Sequence, residues 1–327
     1  MPFCDFLISS KLVFGASVAT ILTISYRNWK RNAIPNKWKL VGEISELFCF
    51  PIKSAGVIKL NEIQCTSIGA KDQFLRDRSF MVINSDEKRF VTARQHPMLV
   101  KITPQIIGSK LTLSAPDKTS INVDMFRVLS DNDTLIAEIW DKAYVEVFDC
   151  GDKVAEWISD FILHEKKGLR LVYYPLNYPT RPIRPKNRVF PEMSPDHVGA
   201  LHDATSFMMI NESSVDDLNS RLNFNVKPVL FRSNFVMKGP KAFEEDNYKW
   251  VKIGDETIMK VVKPCLRCLF TNVDPDTGKK REDGEPLNTL KKYRKFPQYG
   301  DAPFFGIHLG VIKAGTVKIG DQVFISH

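Results

Sequence analysis

VVKPCLRCLFTNVDPDTG, residues 261–278, runs from a β-branched apolar segment through two cysteines into a turn rich in Pro, Asp and Gly. Its first residues continue TIMKVVK (257–263), which has the length and composition of a strand. The pair Cys265 and Cys268 has the CxxC spacing of half a zinc site, of a redox dithiol, or of two unrelated neighbours. A zinc site needs two further ligands, and the sequence holds no second CxxC and no HxxxH. A redox dithiol opens a helix after a strand, whereas LFTNV (269–273) continues apolar and β-branched. Beside the reading of two unrelated neighbours, a single thiolate acting as a metal ligand, with Arg267 next to it to favour the charged form, stays physically open.

Outward from that segment, the chain beyond Leu40 reads mostly as short strands. EISELFCFPI (43–52), SFMVIN (79–84), VKITPQII (100–107), KLTLS (110–114), AYVEVFD (143–149) and RLVYY (170–174) are rich in β-branched and aromatic residues and bounded by Gly, Pro, Asp or Ser. Two helices stand out. In DKVAEWISDFIL (152–163) Val154, Ile158, Phe161 and Ile162 recur at helical spacing, and in SSVDDLNSRL (213–222) a serine cap precedes Val215, Leu218 and Leu222. The stretch Tyr174–Arg188 carries prolines at 175, 179, 182 and 185, which places a domain boundary near it. The predicted organisation is residues 1–40 as an anchor and basic flank, 41–175 as a β-rich N-terminal domain, and 176–327 as a second domain. VKIGD occurs at 251–255 and 317–321, each time as a Gly-Asp turn ahead of a strand.

With 327 residues, 43% of them hydrophobic, the chain has material for a sizeable core. The net charge of +8 fits an anionic cofactor, an acidic protein or an anionic membrane. Basic runs interleaved with aromatics and finger spacings are missing, which argues against nucleic acid. Six cysteines spread over this length do not make a disulfide framework, so a reducing compartment is expected. Residues 6–26 are apolar or small apart from Lys11, and as a helix they would span about 30 Å. Arg27, Lys30, Arg31, Lys37 and Lys39 follow the apolar run, the reverse of a signal peptide. The run is therefore read as a membrane helix with the C-terminal side in the cytosol.

PCLRCLFTNVDPDTG, with FPIKSAGV (50–57), LRDRSFMVI (75–83), DATSFMMINESSVDDLNSRL (203–222) and FRSNFV (231–236), resembles the mitochondrial amidoxime-reducing component family, whose members contain MOSC domains. The resemblance covers nearly the whole chain past Leu40, with the motifs in order. It implies an α+β, β-rich fold: a MOSC-associated N-terminal β region and a MOSC β-barrel domain, preceded by the membrane helix. It further implies a molybdenum cofactor of the molybdopterin type and reduction of amidoximes, hydroxylamines and N-oxides. Electrons would come from NADH through cytochrome b5 reductase and cytochrome b5, on the outer mitochondrial membrane facing the cytosol.

Carried over residue by residue, the resemblance makes Cys268 the metal ligand and catalytic thiolate, a soft donor for a soft metal. Lys53, Ser54, Arg78, Thr205, Ser206, Arg232, Asn234 and Arg267 match positions that hold the cofactor. Lys and Arg would neutralise its phosphate, and hydroxyls and the amide would orient the pterin. Leu266 and His308 depart from the family pattern, which has a small polar residue and a tyrosine there. Arg181, Arg184, Lys186 and Arg188 form a basic cluster in the proline-rich stretch that could steer an acidic donor. Two other functions share these residues: a carrier or store for the molybdenum cofactor, and a MOSC-type sulfur carrier using Cys265 or Cys268 as a persulfide.

Overall fold

Strand-forming segments dominate the computed structural model, which describes residues 33–72 and 74–326. The membrane-helix expectation for residues 6–26 lies outside the described residues. Among the described residues no helix is long and apolar enough to cross a membrane. Residues 39–327 form one contact unit. Its first part contains β1 (Lys39–Cys49), β2 (Ile58–Leu60), β3 (Glu62–Thr66), β4 (Gly69–Asp72), β5 (Leu75–Arg76) and β6 (Phe80–Asn84). Next come β7 (Thr103–Ile107), β8 (Lys110–Ala115), β9 (Lys118–Asp124), α1 (Met125–Asp131), β10 (Thr134–Glu138), β11 (Tyr144–Asp149), α2 (Asp152–Leu163) and β12 (Leu169–Tyr173). The C-terminal part holds β13 (Phe207–Asn211), α3 (Glu212–Asn219), β14 (Phe235–Lys238), β15 (Trp250–Ile253), β16 (Thr257–Leu266), α4 (Leu287–Tyr293), β17 (Phe304–Lys313), β18 (Gly315–Lys318) and β19 (Gln322–Ser326).

Seven strands close a barrel in the order β14-β13-β17-β16-β15-β19-β1, with β1 pairing back onto β14. All neighbours are antiparallel except β13 and β14. Period-two alternation fills the interior: Phe207 and Met209, Phe235 and Met237, Val251 and Ile253, Ile307 and Leu309, and Val323 and Ile325 share one core. The intervening residues Met208, Ile210, Val236 and Phe305 point outward, where they pack on Val215 and Leu218 of α3 and Leu290 of α4. β1 lies in the N-terminal part of the sequence yet is a stave of this barrel, and β18 near the C-terminus pairs with β3. The sheet β10-β11-β12-β6, the meander β7-β8-β9 and α2 enclose separate cores built on the N-terminal part.

The expected β-rich α+β class with a barrel is present, and α2 spans the predicted Asp152–Leu163. Two local readings are corrected. Pro97–Lys101 is a 3-10 helix because Pro97 sits at its start, so the strand in VKITPQII begins only at Thr103. The cap of α3 is Asn211, whose side chain accepts from Ser213 N, rather than a serine. Gly306 gives β17 its bend: it has φ +75°, and a Cβ there would stand 2.5 Å from the Met209 carbonyl oxygen of the adjacent strand.

Candidate functional site

A cleft of ≈ 150 Å³ opens against the outer wall of the barrel, lined by segments far apart in sequence. Lys53, Ser54, Arg78, Thr205, Arg232, Asn234, Arg267 and Cys268, all predicted site residues, line it. Ser206 does not: it is fully buried, and its backbone N–H donates to the His197 carbonyl at 2.9 Å. Leu266 and His308 also face the cleft.

Asp77 is the hub beneath the cations. Its Oδ1 accepts from Phe50 N at 2.7 Å, and its Oδ2 meets Asn234 Nδ2 at 3.0 Å, His202 Nε2 at 2.9 Å and the Arg78 guanidinium. Burial alone would raise this carboxyl, but Arg78, His202 and the Phe50 N–H hold it well below the usual range. Burial drives His202 down to about 4 against the pull of Asp77, so its imidazole is neutral and Nε2 donates. Arg78 also donates from Nη2 to the Arg232 carbonyl at 2.7 Å. Asn234 locks the wall by accepting from Met208 N at 3.2 Å and donating to Phe48 O at 3.3 Å.

Three of the predicted residues, Ser54, Arg78 and Arg232, have φ of 68°, 47° and 53°, the left-handed region that side chains disfavour. Such backbone persists only where surrounding bonds enforce it, and it clusters at binding sites. Arg232 follows the 3-10 turn Pro228–Phe231, donates from Nη1 to Ala55 O at 2.6 Å, and stacks 4.2 Å over Phe50. Its Nη2 is buried with no hydrogen-bond partner among the described residues. Burial and the nearby Arg78 push its pKa down to about 9. Lys53, lowered by burial to about 8 against Asp203, bonds Leu201 O at 3.1 Å and Asp203, and lies 4.0 Å over the Trp140 ring.

The two cysteines separate. Cys265, near the end of β16, is buried among Phe48, Phe50, Met208 and Phe305, whereas Cys268 is exposed at the start of the Leu269–Asn272 turn. No group of three or more His, Cys, Asp or Glu with metal-holding geometry occurs among the described residues. Arg267, between the cysteines in sequence, spends its donors within the wall: Nε and Nη2 on Phe305 O at 3.0 and 2.7 Å, Nη1 on Phe231 O at 2.8 Å, and Nη2 also on Met208 Sδ at 3.2 Å. It therefore rivets the strand end that presents Cys268 and contributes charge without a free fork.

Sequence reading missed Asp77, Thr92, Arg94, His202 and Asp203. Asp77 was legible in principle, as the acid between two arginines in an otherwise apolar segment, and Asp203 as the acid opening DATS. Thr92 and Arg94 had no local signal. The proline-rich cluster also differs from expectation: Arg181 is buried, donating to the carbonyls of Ala200 at 3.1 Å and His202 at 2.6 Å, so it faces no partner.

The cleft lining thus offers five cations, Lys53, Arg78, Arg94, Arg232 and Arg267, against one carboxylate, Asp203. With the unpartnered Arg232 Nη2 and an accessible thiol, this donor set fits a group carrying phosphate and a soft metal.

The MOSC N-terminal beta barrel domain family matches residues 41–165, and the MOSC domain family matches residues 196–324. The chain is 35% identical to mitochondrial amidoxime-reducing component 1 of Mus musculus, over 95% of this chain and 90% of that protein. It is 35% identical to mitochondrial amidoxime reducing component 2 of Bos taurus, over 90% of this chain and 87% of that one. Component 1 of Homo sapiens is likewise 35% identical, over 87% and 83%.

Proposed function

The chain belongs to the mitochondrial amidoxime-reducing component family, and from that premise we propose that its cleft holds a molybdenum cofactor with which it reduces N-hydroxylated compounds such as amidoximes, hydroxylamines and N-oxides. The observation that carries this reading is the meeting of an exposed Cys268 with an excess of cations in one cleft, one of them with a buried N–H left unpartnered. Cys268 Sγ supplies the metal's protein ligand. Arg78, Arg232 and Lys53 neutralise the phosphate, Arg94 adds a further cation to the lining, and Ser54, Thr205 and Asn234 orient the pterin. Ser206 and Arg267 support these residues from behind. When bound, molybdenum supplies two-electron reduction that no side chain performs.

Electrons reach the cleft from NADH through cytochrome b5 reductase and cytochrome b5. The protein is mitochondrial, and the apolar run 6–26 with its trailing basic residues supports an anchor in the outer membrane, the cleft facing the cytosol. Protease added to intact mitochondria is expected to digest the C-terminal part; its protection until the outer membrane is opened would refute that orientation. The enzymatic reading is tested with the purified full chain, by its molybdenum and pterin content and by amidoxime-dependent NADH oxidation in the reconstituted relay. Bound cofactor with turnover is expected. Bound cofactor without turnover would make the protein a carrier, and no cofactor at all would overturn the site.

A further inference from the structure

His308 is one of the uncharged polar side chains of the cleft lining, with Ser54, Thr205 and Asn234. It sits on β17 between Ile307 and Leu309, both of which point into the barrel, so its own side chain is on the outer wall and half-buried in the cleft. Its Nδ1 is 2.9 Å from Thr205 Oγ1, and that same hydroxyl is 2.9 Å from the Phe207 carbonyl oxygen. A carbonyl only accepts, so the single hydroxyl proton of Thr205 is committed to Phe207. Thr205 Oγ1 therefore accepts from His308, and the ring proton is on Nδ1. In the neutral ring the other nitrogen, Nε2, is then a bare lone pair. It has no protein partner among the described residues. The charges around it keep the ring neutral: burial first, then Lys263 across the strand pair, Arg267 and Arg78, with Asp203 opposing them, hold its pKa well below the ordinary value.

From this we infer that His308 Nε2 is a fixed hydrogen-bond acceptor for the substrate, so that the cleft favours N-hydroxylated compounds bearing an N–H or O–H at the reducible group over N-oxides that bear none. An amidoxime or hydroxylamine carries such donors. A tertiary amine N-oxide presents only an oxygen, which meets the His308 lone pair as acceptor against acceptor. The inference rests on the reductase reading above and adds a residue that sets its selectivity. Thr205 acts through His308 as a positioning residue, since its committed hydroxyl chooses the tautomer.

The test has two arms on the purified full chain. Nitrogen NMR of the histidine-labelled protein is expected to show His308 with a protonated Nδ1 and an unprotonated Nε2, and Thr205→Val is expected to release that preference. A protonated Nε2 in the unsubstituted chain would overturn the inference, whatever the activity. In the kinetic arm, His308→Phe is expected to lower kcat/KM about tenfold for an amidoxime, the loss of roughly one hydrogen bond, and to raise it for a tertiary N-oxide, whose oxygen no longer meets a lone pair. His308→Tyr, which brings an O–H donor, is expected to shift selectivity toward the N-oxide. An equal change for both substrate classes would overturn the inference and leave the reductase reading intact. Failure of the unsubstituted chain to reduce either class would instead overturn the reductase reading, with the tautomer still decided by the first arm.

Discussion

Cys265 and Cys268 stand three residues apart, and the fold gives them different chemistry. Both border the cleft, but Cys265 is buried among phenylalanines, where it acts as a small hydrophobe, whereas Cys268 is exposed. Cys268→Ser replaces a polarizable sulfur with a hard, far less acidic oxygen, so amidoxime reduction is expected to vanish while pterin stays on Arg78, Arg232 and Lys53. Cys265→Ser is expected to keep most turnover and lose a few degrees of Tm, because it buries a hydroxyl among apolar side chains. Molybdenum, pterin and turnover measured for both variants check this; equal, complete loss in the two would point to a paired-thiol site. Asp77 extends the argument beneath the cations. Asp77→Ala would leave Arg78, Asn234 and His202 without their shared acceptor, and pterin content is expected to fall together with stability by about 3 kcal/mol or more, since a charge is left unpaired. Unchanged pterin content in a folded Asp77→Ala protein would show that this carboxylate does not organise the site.

The joint between α3 and the segment after β14 carries an element-scale prediction. Glu245 is fully buried, its Oε1 accepting from Ser214 Oγ at 2.8 Å and its Oε2 unpartnered among the described residues. Burial lifts its pKa to about 7. A carboxyl raised above its unfolded value adds stability at low pH, and that contribution is lost as pH rises through the folded value, here across the window from about 4.5 to about 7. The loss is on the order of 3 kcal/mol. Glu245→Gln keeps an acceptor for Ser214 and cannot ionise, so its stability is expected to be flatter between pH 5 and pH 8 by denaturant titration. Parallel pH profiles for the two proteins would refute the assignment. Elements also set what the sequence could reveal. α2 was legible because Val154, Ile158 and Phe161 mark one face over about two turns, whereas α1 and α4, seven residues each, are too short for periodicity to show. Single strands were legible from their composition, but the closure of the barrel was not. It depends on Glu43 pairing with Lys238 and Lys39 with Ile325, contacts between residues far apart in sequence that carry no local mark.

Most of the site was legible for a different reason: the residue blocks that resemble a known family come from five separate stretches, and the barrel wall gathers all but Ser206 of the predicted residues at one cleft. What residue types could not disclose was which arginines remain free. Arg181 and Arg267 spend their donors on carbonyls, and Arg184 pairs with Asp141 at 2.9 Å while lying 5.0 Å from the Trp140 ring. Arg94, Lys186 and Arg188 are exposed, and Lys186 is within electrostatic reach of Cys268. On a chain of net charge +8, and under the electron relay proposed above, a basic surface of this kind would attract an acidic electron donor and accelerate its encounter. At low cytochrome b5 concentration, amidoxime reduction is therefore expected to slow roughly several-fold as ionic strength rises from about 0.01 M to about 0.15 M, where the screening length shortens from about 30 Å to about 8 Å. Reduction driven by a small uncharged dye is expected to change little over the same range. Lys186→Glu combined with Arg188→Glu is expected to lower the cytochrome-driven rate at low salt and to flatten its salt dependence, because less attraction is left to screen. Arg181→Gln separates steering from structure: it is expected to cost stability through four emptied carbonyls at Val198, Ala200, His202 and Ala204 without a matching loss of salt sensitivity. The same salt slope for dye and cytochrome, or a double variant as salt-sensitive as the unsubstituted chain, would assign the surplus charge to holding the cofactor alone.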